Sequence, residues 1–255
     1  MAGLSLRQLL PGWIGLCLLA AIAWTATIRW TNTMNSGPGT MGLSLGGFLA
    51  VWVVMMAEMM LPSVAPMALV WIRSVSARSR ARDRAIGTTS FLAGYLVAWN
   101  AFGAVVYVAL WEVGRLVTNS PGAVRWMGAG IFAAAGVYQL TAWKGRCLRH
   151  CRTPLGSLFH YASYRGPARD LRVGVHHGLY CVGCCWGLMI VLIAVGAMNI
   201  AVMVALSGVI LIEKVWRHGE GFSRVVGVTM FSLAALVLFF PSLLIGLTTQ
   251  PMPGM

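Results

Sequence analysis

Charge is what this sequence has least of. Only 10% of its 255 residues are Asp, Glu, Lys or Arg, and just 6 of them are acidic. A chain so poor in charge cannot cover a soluble domain with the usual polar surface, which excludes a soluble domain of useful size. A phosphate-binding glycine loop, a phosphorylatable Asp motif and a sizeable cytoplasmic domain are also missing, so primary pumping by this chain alone is excluded. No repeat occurs at a solenoid period, and there is no low-complexity tail beyond the short Gln250–Met255 end.

What is present is apolar: 58% hydrophobic residues and a mean hydropathy of +0.77. Crossing a bilayer takes about 20 apolar residues, and segments at 9–30, 44–71, 87–112, 124–143, 173–195, 198–215 and 223–247 qualify. The prediction is an all-α, polytopic transmembrane bundle of about seven spans, a single domain over residues 1–255. The first segment outruns a secretory signal core and lacks a clean cleavage site, so it reads as an uncleaved anchor.

A net charge of +13 would suggest a nucleic-acid partner in a soluble protein, but here the positions of the cations argue for orientation. Arg73, Arg78, Arg80, Arg82 and Arg84 fill the second connection. Lys144, Arg146, Arg149, Arg152, Arg165, Arg169 and Arg172 fill the fourth, and Lys214, Arg217 and Arg224 flank the sixth segment. With Arg7 these face one side, leaving Arg29, Arg115 and Arg125 on the other. The N-terminus is thereby expected in the cytoplasm and the C-terminus outside. The partner is the lipid bilayer, with an anionic-lipid contact open to the Arg73–Arg84 loop, and no nucleic acid is implied.

The most informative stretch runs from His177 to Met189. His177, Cys181, Cys185 and Met189 recur every fourth residue, which places them along one helix face, with Cys184 beside them. From Arg172 to Cys185 is about 20 Å at 1.5 Å per residue. The second segment carries Met55, Met56, Met59 and Met60, and Met60 lies as far from Arg73 as Cys185 lies from Arg172. The matched depth, together with the small residues Gly178, Gly183 and Gly187 that let backbones approach closely, predicts that the second and fifth spans pack directly together, with Met56 or Met60 facing Cys181 or Cys185. Pro62 and Pro66 predict a kink below the methionines. Glu58 lies near the midplane, where an ionised carboxylate is costly, which marks it as a functional candidate.

Cys147 and Cys151 open the fourth connection, where neighbouring arginines are expected to lower their thiol pKa. Cys17 reads as a small lipid- or core-facing residue, and His150, His160 and His218 as interfacial or loop residues. Thiols on the cytoplasmic side argue against permanent disulfides. Soft sulfur ligands select Cu(I), with zinc as the alternative for a Cys/His set, and methionine favours copper over zinc.

The chain resembles a bacterial family described as predicted metal-binding integral membrane proteins, some of whose members are labelled copper chaperones. The resemblance runs through Trp52-x-x-Met55 with Met59-Met60-Leu61-Pro62-Ser63, then Tyr138-Gln139-Leu140-Thr141 with Lys144-x-x-Cys147-Leu148-Arg149-His150-Cys151-Arg152-x-Pro154-Leu155. It continues through Gly178-Leu179-Tyr180-Cys181-Val182-Gly183-Cys184-Cys185-Trp186, Leu188-Met189, Gly196-x-Met198-Asn199 and Glu213-Lys214. Glu58 and Trp143 depart from the family pattern. The resemblance implies a multi-pass protein of the bacterial cytoplasmic (inner) membrane that holds or hands over a metal without catalysing a reaction, together with a metal-donor or metal-acceptor protein. Lys144 and Glu213 enter the candidate site through it.

The expected function is therefore Cu(I) binding and handover, with Cys147 and Cys151 receiving the ion and Cys181, Cys184, Cys185 and the methionines holding it. A membrane thiol-disulfide oxidoreductase, exchanging Cys181/Cys184 with Cys147/Cys151, is the alternative. A third reading is an assembly subunit whose cysteines brace a helix pair.

Overall fold

The computed structural model describes residues 6–31, 40, 42–76, 80–244 and 247. Arg78 and the Gln250–Met255 end lie outside them. Among the described residues the regular structure is entirely helical: α1 (Leu6–Thr31), α2 (Leu45–Ser76), α3 (Ala81–Asn119), α4 (Val124–Leu140), α5 (Ala142–Arg152), α6 (Pro154–Tyr161), α7 (Arg169–Gly196), α8 (Ile200–Val215) and α9 (Gly219–Phe239). Short 3-10 turns follow α3 and α9. Four stretches, Leu45–Ile72, Ala81–Val117, Arg169–Gly196 and Gly219–Phe239, are long and apolar enough to cross a membrane. Their outward faces stay apolar, as at Val97, Val105, Val108, Val225, Val228 and Phe239.

The central element is α7, which packs along α3 and also touches α4, α5 and α8; α9 lies on α4, and α1 on α2. Small residues permit the α3–α7 approach. A Cβ at Gly174 would stand 2.1 Å from the Phe91 carbonyl oxygen, and one at Gly94 would stand 2.2 Å from that of Leu171. Gly174 and Gly178 together form the small-x-x-x-small stripe that lets helices meet backbone to backbone.

The expected extended packing of the second span on the fifth is not found among the described residues. α2 leans chiefly on α1, α3 and α8, because the glycines of α7 seat α3: Gly174 and Gly178 lie against Phe91 and Tyr95 of α3. The Trp52 indole donates to the Trp99 carbonyl at 2.9 Å and lies over Gly103, where a Cβ would come within 2.4 Å of the ring. Despite Pro62 and Pro66, α2 remains one helix.

The segment expected at 124–143 divides at Thr141, whose side chain accepts from the Lys144 backbone N–H at 3.3 Å and caps α5. The fourth connection is thus largely helical. At its far end α7 stops at Gly196, whose φ of 128° suits a residue without a side chain. Asn199 then caps α8.

Candidate metal centre

Two helices bring four sulfurs together. On α7, Cys181, Cys184 and Cys185 are buried, and their three Sγ atoms all lie within 4.8 Å of one another. Cys184 and Cys185 are 3.2 Å apart at sulfur. From α5, Cys151 places its Sγ 3.9 Å from that of Cys184. Sulfurs bound to one ion through bonds of about 2.3 Å lie about 4 Å apart in a trigonal or tetrahedral set, so little movement is needed to close this group on an ion.

Cys147 does not share that site. Its sulfur rests against Gly183, where an added Cβ would lie 2.8 Å away. α5 passes across α7, and its two cysteines meet successive positions, Gly183 and Cys184, whose directions differ by about 100° around the helix. The expected lowering of their thiol pKa is also reversed. Burial pushes the Cys147 thiol up against the opposing pull of Lys144. Hydrogen bonding to the Cys181 sulfur, helped by burial, pushes Cys151 well above the ordinary thiol range. Arg146 and Arg149, the arginines beside these cysteines on α5, are exposed and screened, while desolvation acts at the sulfur.

Lys214 was read from the sequence as a flanking cation, yet it is buried inside the site. Its Nζ donates to Cys181 Sγ at 2.9 Å and to Ser63 Oγ at 3.0 Å. Tyr95 of α3 reaches the same sulfur with its hydroxyl at 3.0 Å. The Glu213-Lys214 motif carried the signal for Lys214; nothing around Tyr95 in the sequence did.

Lys144 and Glu213, each 1% exposed, form a buried ion pair of 2.7 Å. Lys144 Nζ also donates to the Cys184 carbonyl at 2.5 Å, and Gln139 Nε2 donates to Glu213 at 3.0 Å. One polar network therefore ties α4, α5 and α8 to the backbone of a cluster cysteine. Tyr138 adds a hydroxyl donated to the Gly183 carbonyl.

Met55, Met56, Met59 and Met60 are buried in the same apolar core as the cysteines and Met189. Ser63, which donates to the Met60 carbonyl at 2.9 Å and accepts from Lys214, links this face of α2 to Cys181. His177 turns its ring among Phe91, Tyr95 and His150, and its Nδ1 is buried without a hydrogen-bond partner. Glu58 is buried beside Thr27 of α1. Cys17 is exposed on α1.

Two of the histidines read as interfacial or loop residues, His150 and His160, also gather with His176 of α7. His150, His160 and His176 pack with Tyr161, Tyr164 and Tyr180. Burial, with His176 and His160 nearby, pushes the His150 imidazole down to about 4.

An apolar helical bundle with a buried thiol cluster spaced for a soft ion defines a metal-handling protein. The chain belongs to the PpoB2 copper chaperone family, whose profile matches residues 49–237. No curated protein and no solved structure matches the chain.

Proposed function

We propose that the protein binds Cu(I) within the bacterial inner membrane and hands it to a partner, through Cys181, Cys184, Cys185 and Cys151. The observation that carries this reading is the four-sulfur spacing, with three sulfurs within 4.8 Å of one another and the fourth 3.9 Å from Cys184. Thiolate is the ligand type that Cu(I) prefers, and membership of a copper chaperone family agrees. The cargo exchanges between thiols by ligand substitution, so each step forms one copper–sulfur bond as another breaks.

Met56, Met59, Met60 and Met189 serve as thioether ligands or soft lining, with His177 beside them. Cys147 lies one turn along α5 from Cys151 and is the next sulfur outward. Lys144 and Glu213 position the Cys184 segment, and Lys214 supplies positive charge next to Cys181. The four long apolar helices cross the bilayer, and α1, α4 and α8 complete about seven spans with the N-terminus cytoplasmic. Reporter fusions at Ser157 and Thr40 should then report cytoplasm and exterior respectively.

The deciding experiment measures metal content and X-ray absorption on the reduced, detergent-purified protein. Near-stoichiometric copper in a sulfur shell is expected, lost in Cys184→Ser and Cys185→Ser but kept in Cys17→Ser. Loss of metal on Met59→Leu and Met60→Leu would report thioether ligation, because that exchange conserves volume. A metal-free protein with a reversible Cys151–Cys184 disulfide would overturn the proposal in favour of thiol-disulfide exchange.

A further inference from the structure

Outside the thiol cluster, three histidines from three helices converge: His150 at the end of α5, His160 on α6 and His176 on α7. Their ring centroids are 5.3 Å apart for His160–His176, 5.9 Å for His150–His176 and 6.4 Å for His150–His160. Three imidazoles bound to one ion through bonds of about 2.0 Å place their centroids about 5 Å apart. The His160–His176 spacing already has that value, and His150 stands somewhat farther from both.

A second observation concerns what holds the nitrogens now. The Tyr161 hydroxyl is buried between two of the rings, 2.8 Å from His150 Nε2 and 3.2 Å from His176 Nδ1. One hydroxyl can donate to one imidazole and accept from the other, so it keeps both nitrogens turned toward a common point. His150 is braced by a stack on Tyr180 at 3.9 Å and by Ser157, which donates to its carbonyl at 2.9 Å. His160 is exposed. Among the described residues only the three-cysteine group already has its ligand atoms within 4.8 Å of one another, so the three imidazoles must draw together to share an ion, and the exposed His160 is the one with room to move.

We propose that His150, His160 and His176 form an outer docking site for a copper ion, with the Tyr161 hydroxyl holding two of the nitrogens until the ion displaces it. This deepens the thiol reading and rests on it for the identity of the ion; the imidazole set would suit zinc or nickel as well. The Tyr161 hydroxyl that bridges His150 and His176 lies within electrostatic reach of Cys151, whose sulfur lies 3.9 Å from that of Cys184. An ion released from the imidazoles thus has a thiol of the inner cluster as its next neighbour. The step inward breaks copper–nitrogen bonds, forms copper–sulfur bonds and leaves the oxidation state unchanged.

The test is a titration of the reduced full-length protein in detergent with Cu(I) buffered by bicinchoninate, followed by copper X-ray absorption at one and two equivalents. The first equivalent should show a sulfur shell, and the second should add a nitrogen shell at about 2.0 Å. His160→Ala combined with His176→Ala should remove the nitrogen shell and weaken the second equivalent at least tenfold. Both side chains are at least partly exposed, and the sulfur shell of the variant serves as the check on its fold. His218→Ala, outside the cluster, should change neither shell. A wild-type second equivalent without nitrogen scattering, or a nitrogen shell unchanged in the double variant, overturns the proposal. Loss of the sulfur shell from the wild type would instead overturn the thiol reading, leaving the nitrogen shell to be judged separately.

Discussion

The Nζ atom of Lys214 lies 2.9 Å from the Sγ atom of Cys181, in a site where both residues are buried. Among the described residues its other hydrogen-bond partner is the Ser63 hydroxyl, so within them the lysine answers to the sulfur cluster and to no carboxylate. A copper ion held by several thiolates leaves a net negative charge, which a buried cation offsets.

Removing that cation should therefore weaken binding without removing a ligand. Lys214→Met, close in volume, is expected to lower Cu(I) affinity at least tenfold in a chelator competition while leaving the sulfur shell unchanged. Lys214→Arg should recover part of the loss. Equal affinities in all three proteins would remove Lys214 from the site's electrostatics.

The Lys144–Glu213 pair makes a prediction about stability. Each partner is 1% exposed, so replacing one leaves the other unpaired in a low-dielectric interior, at a cost of about 3–5 kcal/mol. Lys144→Met and Glu213→Leu should each sharply lower the denaturation midpoint in detergent. The double variant should recover much of the loss. A double variant as unstable as the sum of the singles would mean that the pair's coupling is not what the geometry implies.

Helix contact gives a third expectation. Gly174→Ala puts a methyl group 2.1 Å from the Phe91 carbonyl oxygen, a clash relieved only by moving α3, and overpacking of this kind costs about 1–3 kcal/mol. Gly130→Ala, in α4 with nothing within 4 Å, should be neutral or stabilising by up to about 1 kcal/mol. Thermal unfolding of the two variants side by side would decide it.

The fourth concerns pH. His150 is held down at about 4 from the ordinary 6.5, first by burial and then by His176 and His160. The folded state then binds fewer protons than the unfolded one between those values, and protonation favours unfolding. Stability should fall as pH drops from about 6.5 towards 4 and be flat above 7, and His150→Gln should flatten that slope. Imidazole NMR titration would read the value directly; a His150 signal titrating near 6.5 would contradict it.

Legibility in the sequence followed the length scale of the signal. Long apolar runs made the helices readable, and the four-residue recurrence from His177 to Met189 placed three cysteines on a common face. The partners of that face were not readable. Matched depth and the glycines of the fifth span join α2 to α7 in the sequence, but a glycine shows that a backbone can come close without showing which one: Gly178 seats α3, Gly183 seats Cys147 of α5 and Gly187 seats α4. Cys147 and Cys151 looked equivalent at one-turn spacing, yet the crossing of α5 over α7 separates them. Lys214 lay hidden among cations that set orientation, and only three-dimensional packing distinguishes a buried lysine from a flanking one.

Two consecutive carbonyls of α7, those of Gly183 and Cys184, accept side-chain hydrogen bonds from Tyr138 and Lys144. A helix carbonyl shared in this way holds its own turn less tightly, and side chains inserted into the ladder are a recognised cause of helix bending. The turn of α7 where the helix has reason to bend is thereby the one that carries Cys184 and Cys185. The direction in which those two thiols point is then set by α4 and α5, whose side chains supply both bonds, as well as by α7 itself.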